Sequence, residues 1–242
     1  MSFDPIAPHA FWKGVRGHVM ISYLLVLYGS VNNKLPQGTD MPNGDKLPKR
    51  GRPQTLDRDA VTKIALACYW RDGPTRVSVS QICQAANVSK PSLYREFGSD
   101  DGLREAALDL YRRVALVPYY ENMNRGIGFK HEIEALIAFM TQNRTVLGIP
   151  SGCLQVEMRS SYCELGDVTR AKVDLIRGET LETYEEWIDR AKSTGECTVD
   201  ISSRAAAIFC DVQNMGAMRM QREGVPNEII AQTLKLGFSA LA

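Results

Sequence analysis

Apolar residues recur along this chain at three- and four-residue intervals, and no stretch alternates apolar with polar over a strand's length, so the pattern predicts an all-α protein. Val61, Ile64, Ala65 and Cys68 form the buried stripe of a first helix over 57–71, closed by Asp72-Gly73-Pro74, with Cys68 and Trp70 as core or boundary residues. Ser78 with Gln81 three residues later is a capping-box pattern, which starts a second helix near Val79 carrying Ile82, Cys83 and Ala86. Asn87 stands where a turn between crossing helices needs positive φ, which Gly accepts best and Asn next best, and Val88 plugs the gap. Ser89 as N-cap and Pro91 in the first turn start a third helix, on which Leu93 and Phe97, four apart, face inward.

Beyond Gly98 the helical pattern continues. Ser99 caps a linking helix whose first turn holds Asp100 and Asp101, where the dipole favours negative charge; its run Leu103–Ala115 is expected to stop around Pro118. Further helices are expected over His131–Leu147, with Ile133, Leu136, Ile137 and Met140 inward, and over Cys153–Cys163. Asp167 to Lys192 makes a long one, with Val173, Ile176, Leu181, Tyr184, Trp187 and Ile188 as its apolar members. The last two run from Asp200 or Ser202 to Arg222 and from Pro226 to about Leu241.

With Leu93 and Phe97 turned inward, the third helix presents Lys90, Ser92, Tyr94 and Arg95 outward, side-chain types that contact phosphates and base edges. Ser78, Ser80 and Ser89 join them as candidate DNA contacts. Pairs of short amphipathic helices also occur in all-α proteins that never meet DNA. The formal net charge of +1 announces no nucleic-acid binder, so the electrostatic footprint must be local. It is: between Asp45 and Arg58, Lys46, Lys49, Arg50, Arg52 and Arg58 face only Asp45 and Asp57, a net charge of +3. An Arg50-Gly51-Arg52-Pro53 arm is suited to a narrow minor groove; a solvated basic linker is the other reading.

Residues 1–48 are rich in Pro, Gly and Asn and read as a disordered or non-native extension, with Met41 as the natural start. The apolar run Val19–Tyr28 is shorter than the roughly twenty residues a spanning helix needs and resembles a signal-peptide core. A DNA-binding motif has no work outside the cytoplasm, so a cytoplasmic protein with no membrane partner is expected. The six cysteines form no C-x-x-C pair and the chain has three histidines, so neither a metal site nor a disulfide framework is expected, and reduced thiols are. No H-E-x-x-H, phosphate-binding loop or G-x-S-x-G motif carries a reaction, so no enzyme and no cofactor is expected.

The run SVSQICQAANVSKPSLYREF, with its AANV turn and its SKPSLYREF helix followed by GSDDGL, resembles the DNA-binding segment of the TetR/AcrR family of bacterial transcriptional regulators over roughly Pro53–Leu110. The resemblance implies an N-terminal three-helix helix-turn-helix domain, taken with its basic arm as 49–100, and a C-terminal effector-binding and dimerisation domain, 101–242. One position departs from the family: Asp100 stands where relatives commonly carry a lysine used against a phosphate, and Arg104, one turn on, is the candidate replacement. The expected function is a sequence-specific transcriptional regulator, a ligand-responsive homodimeric repressor on a palindromic double-stranded operator. The alternative is a helical ligand-binding or scaffold protein that has lost DNA binding, with Asp100 as its support.

Two heads must be spaced one helical turn apart on a palindrome, which calls for dimerisation. Ala206, Cys210, Gln213 and Ala217 on one C-terminal helix and Ile229, Ile230, Thr233, Leu234, Leu236 and Phe238 on the other are the expected interface, unless they finish the monomer's own core. Family resemblance also implies a small-molecule effector between residues 103 and 200. Met140, Cys153, Val156, Tyr162, Cys163, Tyr184 and Trp187 are the candidate lining, each also readable as plain core. Cys153, after Ser151-Gly152 at a helix start, is placed for a lowered thiol pKa and a redox or electrophile switch.

Overall fold

A computed structural model describes residues 56–241; the extension 1–48, the expected start at Met41 and the arm with Arg50 and Arg52 lie outside the described residues. Among the described residues there is no strand. Helix α1 (Arg58–Asp72) begins on an Asp57 N-cap that accepts from the Ala60 amide, a bond that satisfies one free N–H of the first turn. Helices α2 (Val79–Ala86) and α3 (Lys90–Phe97) cross after it, and α4 (Asp100–Tyr111) leads away from them. The chain continues through a π segment (Arg112–Leu116) and α5 (Val117–Glu121) to α6 (Phe129–Met140), α7 (Leu154–Ser160) and the long α8 (Asp167–Ser193). Helices α9 (Ser203–Arg222) and α10 (Asn227–Phe238) close the body.

Three expected boundaries move. The linking helix does not stop at Pro118: one widened π turn lets the backbone pass a residue with no N–H to give, and helical geometry resumes over Val117–Glu121. Helix α6 ends at Met140, not Leu147, because the Thr141 hydroxyl takes the Ile137 carbonyl and the Asn143 side chain starts a turn by accepting from the Val146 amide. The segment expected as one helix to Cys163 ends at Ser160 and finishes in a short 3-10 turn.

The core is continuous from α1 to α10. Helix α1 is buried on almost every side, its expected stripe together with Leu66, Ala67, Tyr69 and Trp70. The body supplies that extra cover: Trp70 packs edge-on against Tyr111 with ring centroids 4.8 Å apart, and its indole Nε1 donates to the Gly152 carbonyl at 3.3 Å. Arg222 of α9 closes the same seam by donating to the Trp70 and Arg71 carbonyls at 2.7 and 3.1 Å, a cation on the negative end of α1. Gly152 takes φ +79°, and a Cβ there would sit 3.2 Å from the Met218 carbonyl, so the seam needs glycine on two counts. Asp101 of α4 makes a second tie by accepting from the Val168 and Thr169 amides at 2.9 and 3.3 Å, so it caps α8 from another helix.

Much of the expected dimer stripe turns inward, while Ile229, Thr233 and Leu236 stay exposed. Ala206, Cys210, Ala217, Ile230, Leu234 and Phe238 are all buried within the one chain. Helices α9 and α10 pack on α8 and α6, and small residues are what let α9 approach closely. The apolar residues left outside on these two helices are Ile208, Val212, Ile229 and Leu236. No described helix is long and apolar enough to cross a membrane.

Candidate nucleic-acid interface

The reading head is shaped by short-range bonds. Ser78 Oγ accepts from the Gln81 amide while Gln81 Oε1 accepts from the Ser78 amide at 2.8 Å, a complete capping box. Asn87 has φ 54° and ψ 45°, the only positive φ outside glycine among the described residues, and the Val88 amide closes the turn on the Cys83 carbonyl at 3.0 Å. Ser89 Oγ accepts from the Ser92 amide, and Pro91 in that first turn costs no bond. Leu93 and Phe97 are buried and hold α3 against α2 and α4.

Lys90 and Arg95 are exposed, with Ser80 beside the α2 cap exposed as well. Ser78 and Ser89 are occupied as caps, each hydroxyl also donating, to Gln81 Oε1 and to Ser92 Oγ, so their first role is to fix the helix starts. Arg95 Nη2 lies at the limit of reach from Ser92 Oγ, 3.5 Å, and is otherwise turned out. Arg76 and Gln84 are exposed near these residues and carry DNA-compatible chemistry that periodicity does not flag, since one is in a loop and the other on the polar side of a short helix.

Two expectations about the edge of the interface change. Arg104 does not take the place of the missing lysine: its Nε donates to the Pro74 carbonyl at 3.1 Å and its guanidinium lies over the Tyr69 ring at 5.9 Å, so it locks α4 to the end of α1. Asp100 is no bare loss either. The Tyr94 hydroxyl donates to Asp100 Oδ1 at 2.6 Å, which orients the ring and pushes the phenol pKa up. Lys90 Nζ rests over the face of the same ring, 5.4 Å from its centroid, so Asp100, Tyr94 and Lys90 stand as one stack on the outer side of α3.

A small pocket opens in the body, a cavity of about 30 Å³ that is partly open to solvent. It is lined by Tyr111 of α4, Ala115 and Leu116 of the π segment, Tyr119, Phe139, Met140, Arg144, Cys153, Asn214 and Met218. Of the expected lining only Met140 and Cys153 are there. Val156 is core, Tyr184 is buried with its hydroxyl on that of Tyr119, and Trp187 is buried with Nε1 on Glu132 Oε2 at 2.8 Å. Tyr162 is turned to the surface, bonded to Asp174, and Cys163 is exposed. Apolar and aromatic type signals burial, and α8 spends these residues on packing against its neighbours.

Cys153 also departs from expectation. It is buried at the α7 start, and burial raises the thiol pKa, outweighing bonds from Tyr111 and the Val156 and Gln155 amides that lower it. The thiol is therefore protonated near neutrality, the opposite of a poised thiolate. All six cysteines are free thiols.

Residues 61–107 match the family model for bacterial regulatory proteins of the tetR family. The HTH-type transcriptional repressor ComR of Escherichia coli is 25% identical over 187 residues, 76% of this chain and 88% of that protein. A cysteine mutant of the TetR family transcriptional regulator CifR, complexed with 26-bp double-strand operator DNA, matches with TM-score 0.67 at 22% identity, covering 79% of this chain and 100% of that one. Reduced NemR of E. coli matches with TM-score 0.64 at 18% identity, covering 76% and 97%. At these identities the solved structures share the fold, from α1 through the body.

Proposed function

We propose, from the match of residues 61–107 to the family model for bacterial regulatory proteins of the tetR family, a dimeric, ligand-responsive repressor that occupies a palindromic operator in the cytoplasm. Residues 49–100 serve as the reading head with its arm, and 101–242 as the sensing and pairing body. Helix α3 enters the major groove with Arg95, Lys90 and Ser92 as its readers, Ser80 approaches the backbone, and Arg50 and Arg52 follow the minor groove. The similarity to ComR supports repression rather than activation.

The observation that carries the regulatory half is the double use of Tyr111. One face of its environment is the pocket wall, and its ring meets Trp70 of the head at 4.8 Å. Directly after it the π segment forms more of the same wall, and a π turn is a local irregularity that can shift register along a helix. A ligand that prefers one arrangement of Tyr111 and this segment biases the angle of the head, which is all that coupling requires. Pairing falls to the outer faces of α9 and α10, where Ile208 and Val212, four residues apart, stand exposed with Ile229 and Leu236. Two copies joined there form a four-helix interface.

Selecting bound sequences from random DNA with the full chain, followed by gel-shift titration across salt, tests the reading. The expected result is a palindromic consensus, bound with a steep salt dependence by a species of two chains. Equal affinity for selected and random DNA would refute sequence-specific regulation.

A further inference from the structure

Among the described residues Arg144 is the one charged side chain in the pocket wall, and its side chain has no hydrogen-bond or ion-pair partner there. The residue sits in the turn after α6, only 9% exposed, where its own carbonyl accepts from the Ile149 amide at 3.1 Å. Its Nε is buried with no hydrogen-bond partner, and no ion pair reaches its guanidinium among the described residues. The titratable groups that act on its charge are Tyr111 and Cys153, and burial raises the pKa of both, so neither supplies a negative charge near neutrality. A guanidinium does not shed its proton at neutral pH, so the described residues leave an uncompensated cation in a low-dielectric wall, an arrangement that folding alone disfavours strongly.

We propose that this pocket is an anion site, and that the effector is a small carboxylate with an apolar body. The carboxylate fits the planar fork of Arg144, which can hold both oxygens at once. Asn214, which also lines the cavity, offers an amide for the same head group. The rest of the wall is apolar: Leu116, Phe139, Met140 and Met218, with the rings of Tyr111 and Tyr119, take the body of the acid. A neutral molecule of the same shape leaves Arg144 unpaired and forgoes most of the gain. This inference rests on the ligand-responsive reading above and names its ligand class. Because the acid would lie between Arg144 and Tyr111, neutralising the cation acts at the residue that touches Trp70.

The test uses the full chain with benzoate and phenylacetate, each against its uncharged amide, in calorimetric titration and thermal unfolding. The acids should bind and raise Tm while the amides do not, and Arg144→Met should weaken acid binding about tenfold or more. Arg144→Lys keeps the charge without the fork and should fall between. The unliganded Arg144→Met protein should unfold no earlier than the unsubstituted chain, because no partner is orphaned. Acids and amides binding alike, neither acid binding, Arg144→Met binding the acids undiminished, or its unliganded form losing stability would each overturn the site. The two readings fail separately: acid binding that leaves selected DNA bound overturns the acid as effector but keeps the anion site, while DNA released by the amides alone overturns the anion site and keeps the ligand response.

Discussion

The head and the pocket are built on opposite principles. In the head the bonds that shape the helix starts and turns close over a few residues: Ser78 with Gln81, Cys83 with Val88, Ser89 with Ser92, Tyr94 with Asp100. The pocket draws its wall from Tyr111 on α4, Phe139 on α6, Arg144 in a turn, Cys153 at the start of α7 and Met218 on α9. The head is pre-shaped, as a reader of a fixed groove should be, and Tyr69 Oη is its one buried polar side-chain atom without a partner among the described residues. The body keeps unmatched polar atoms: of the four buried side-chain atoms without partners among the described residues, Gln142 Oε1, Arg144 Nε and Gln155 Oε1 lie there. Local closure gives a rigid surface, whereas dispersed contributions give a cavity whose shape depends on how helices sit, and this is what a sensor requires.

The seam between the two is where the comparison is most easily broken. Trp70 is 1% exposed and belongs to both sides, so Trp70→Ala should cost about 3–5 kcal/mol, read from urea unfolding followed by circular dichroism. A loss under about 1 kcal/mol would mean that head and body are independent units. Alkali separates the two sides next. Burial lifts the phenols of Tyr111, Tyr119 and Tyr184 in the body well above their ordinary value. Above about pH 10 the unfolded chain loses those protons while the folded chain keeps them, so stability falls as pH rises, by up to about 1.4 kcal/mol per phenol for each further unit. Tyr184→Phe should flatten that slope in urea titrations between pH 9 and 11, and an unchanged slope would place the alkaline loss elsewhere.

Helix starts and turns were legible because their rules are local. Ser78 three before Gln81, Asn87 at the turn and Ser89 before Pro91 each carry their own chemical reason within one turn of chain. The helical fold and nine of its helices followed from periodicity and capping; the short helix Val117–Glu121 did not. What periodicity cannot say is which side of a buried face adjoins a cavity, and so Tyr184, Trp187 and Val156 were indistinguishable from true lining. Arg144 carried no signal because the segment 141–147 reads as more of α6, and a lone arginine on a helix reads as solvated. Asp100 was visible as a departure, yet its meaning depends on Tyr94, on the far side of the Gly98 break. The arm at Arg50 and Arg52 lies outside the described residues.

Two smaller effects sharpen the contrast between local and remote control. Asn87→Val forces a β-branched side chain into the left-handed region and should cost about 1–2 kcal/mol, whereas Asn87→Gly should be near neutral. If both variants unfold alike, the turn is not what holds α2 and α3 at their angle. Asp101→Ala removes a cap from α8 that no residue of α8 itself provides, at about 1 kcal/mol. Gly166 shows how tight that tie is, since a Cβ there would meet the Asp101 carboxyl at 2.4 Å. Hydrogen exchange at the Val168 and Thr169 amides should accelerate in Asp101→Ala while the amides of α3 stay protected, and faster exchange in α3 would show that this tie also sets the head.

The smallest effect on stability belongs to the residue with the largest expected effect on DNA. Arg95 is exposed, and its one contact, to Ser92 Oγ, is at the limit of hydrogen-bond reach, so Arg95→Ala should change unfolding free energy by less than about 0.5 kcal/mol. Binding to a selected operator should nonetheless weaken, because nothing else on the outer side of α3 carries a free fork of donors: Lys90 is stacked on Tyr94, and Tyr94 is tied to Asp100. The salt dependence says which kind of contact is lost. If Arg95 meets a phosphate, affinity falls evenly across sequences and the slope of log K against log salt drops by about one; if it meets a guanine edge, discrimination at one base pair relaxes and the slope holds. A variant that binds operator and random DNA as tightly as the original chain, with an unchanged slope, would take Arg95 out of the interface and move the reading to the edge around Ser80, Gln84 and Arg76.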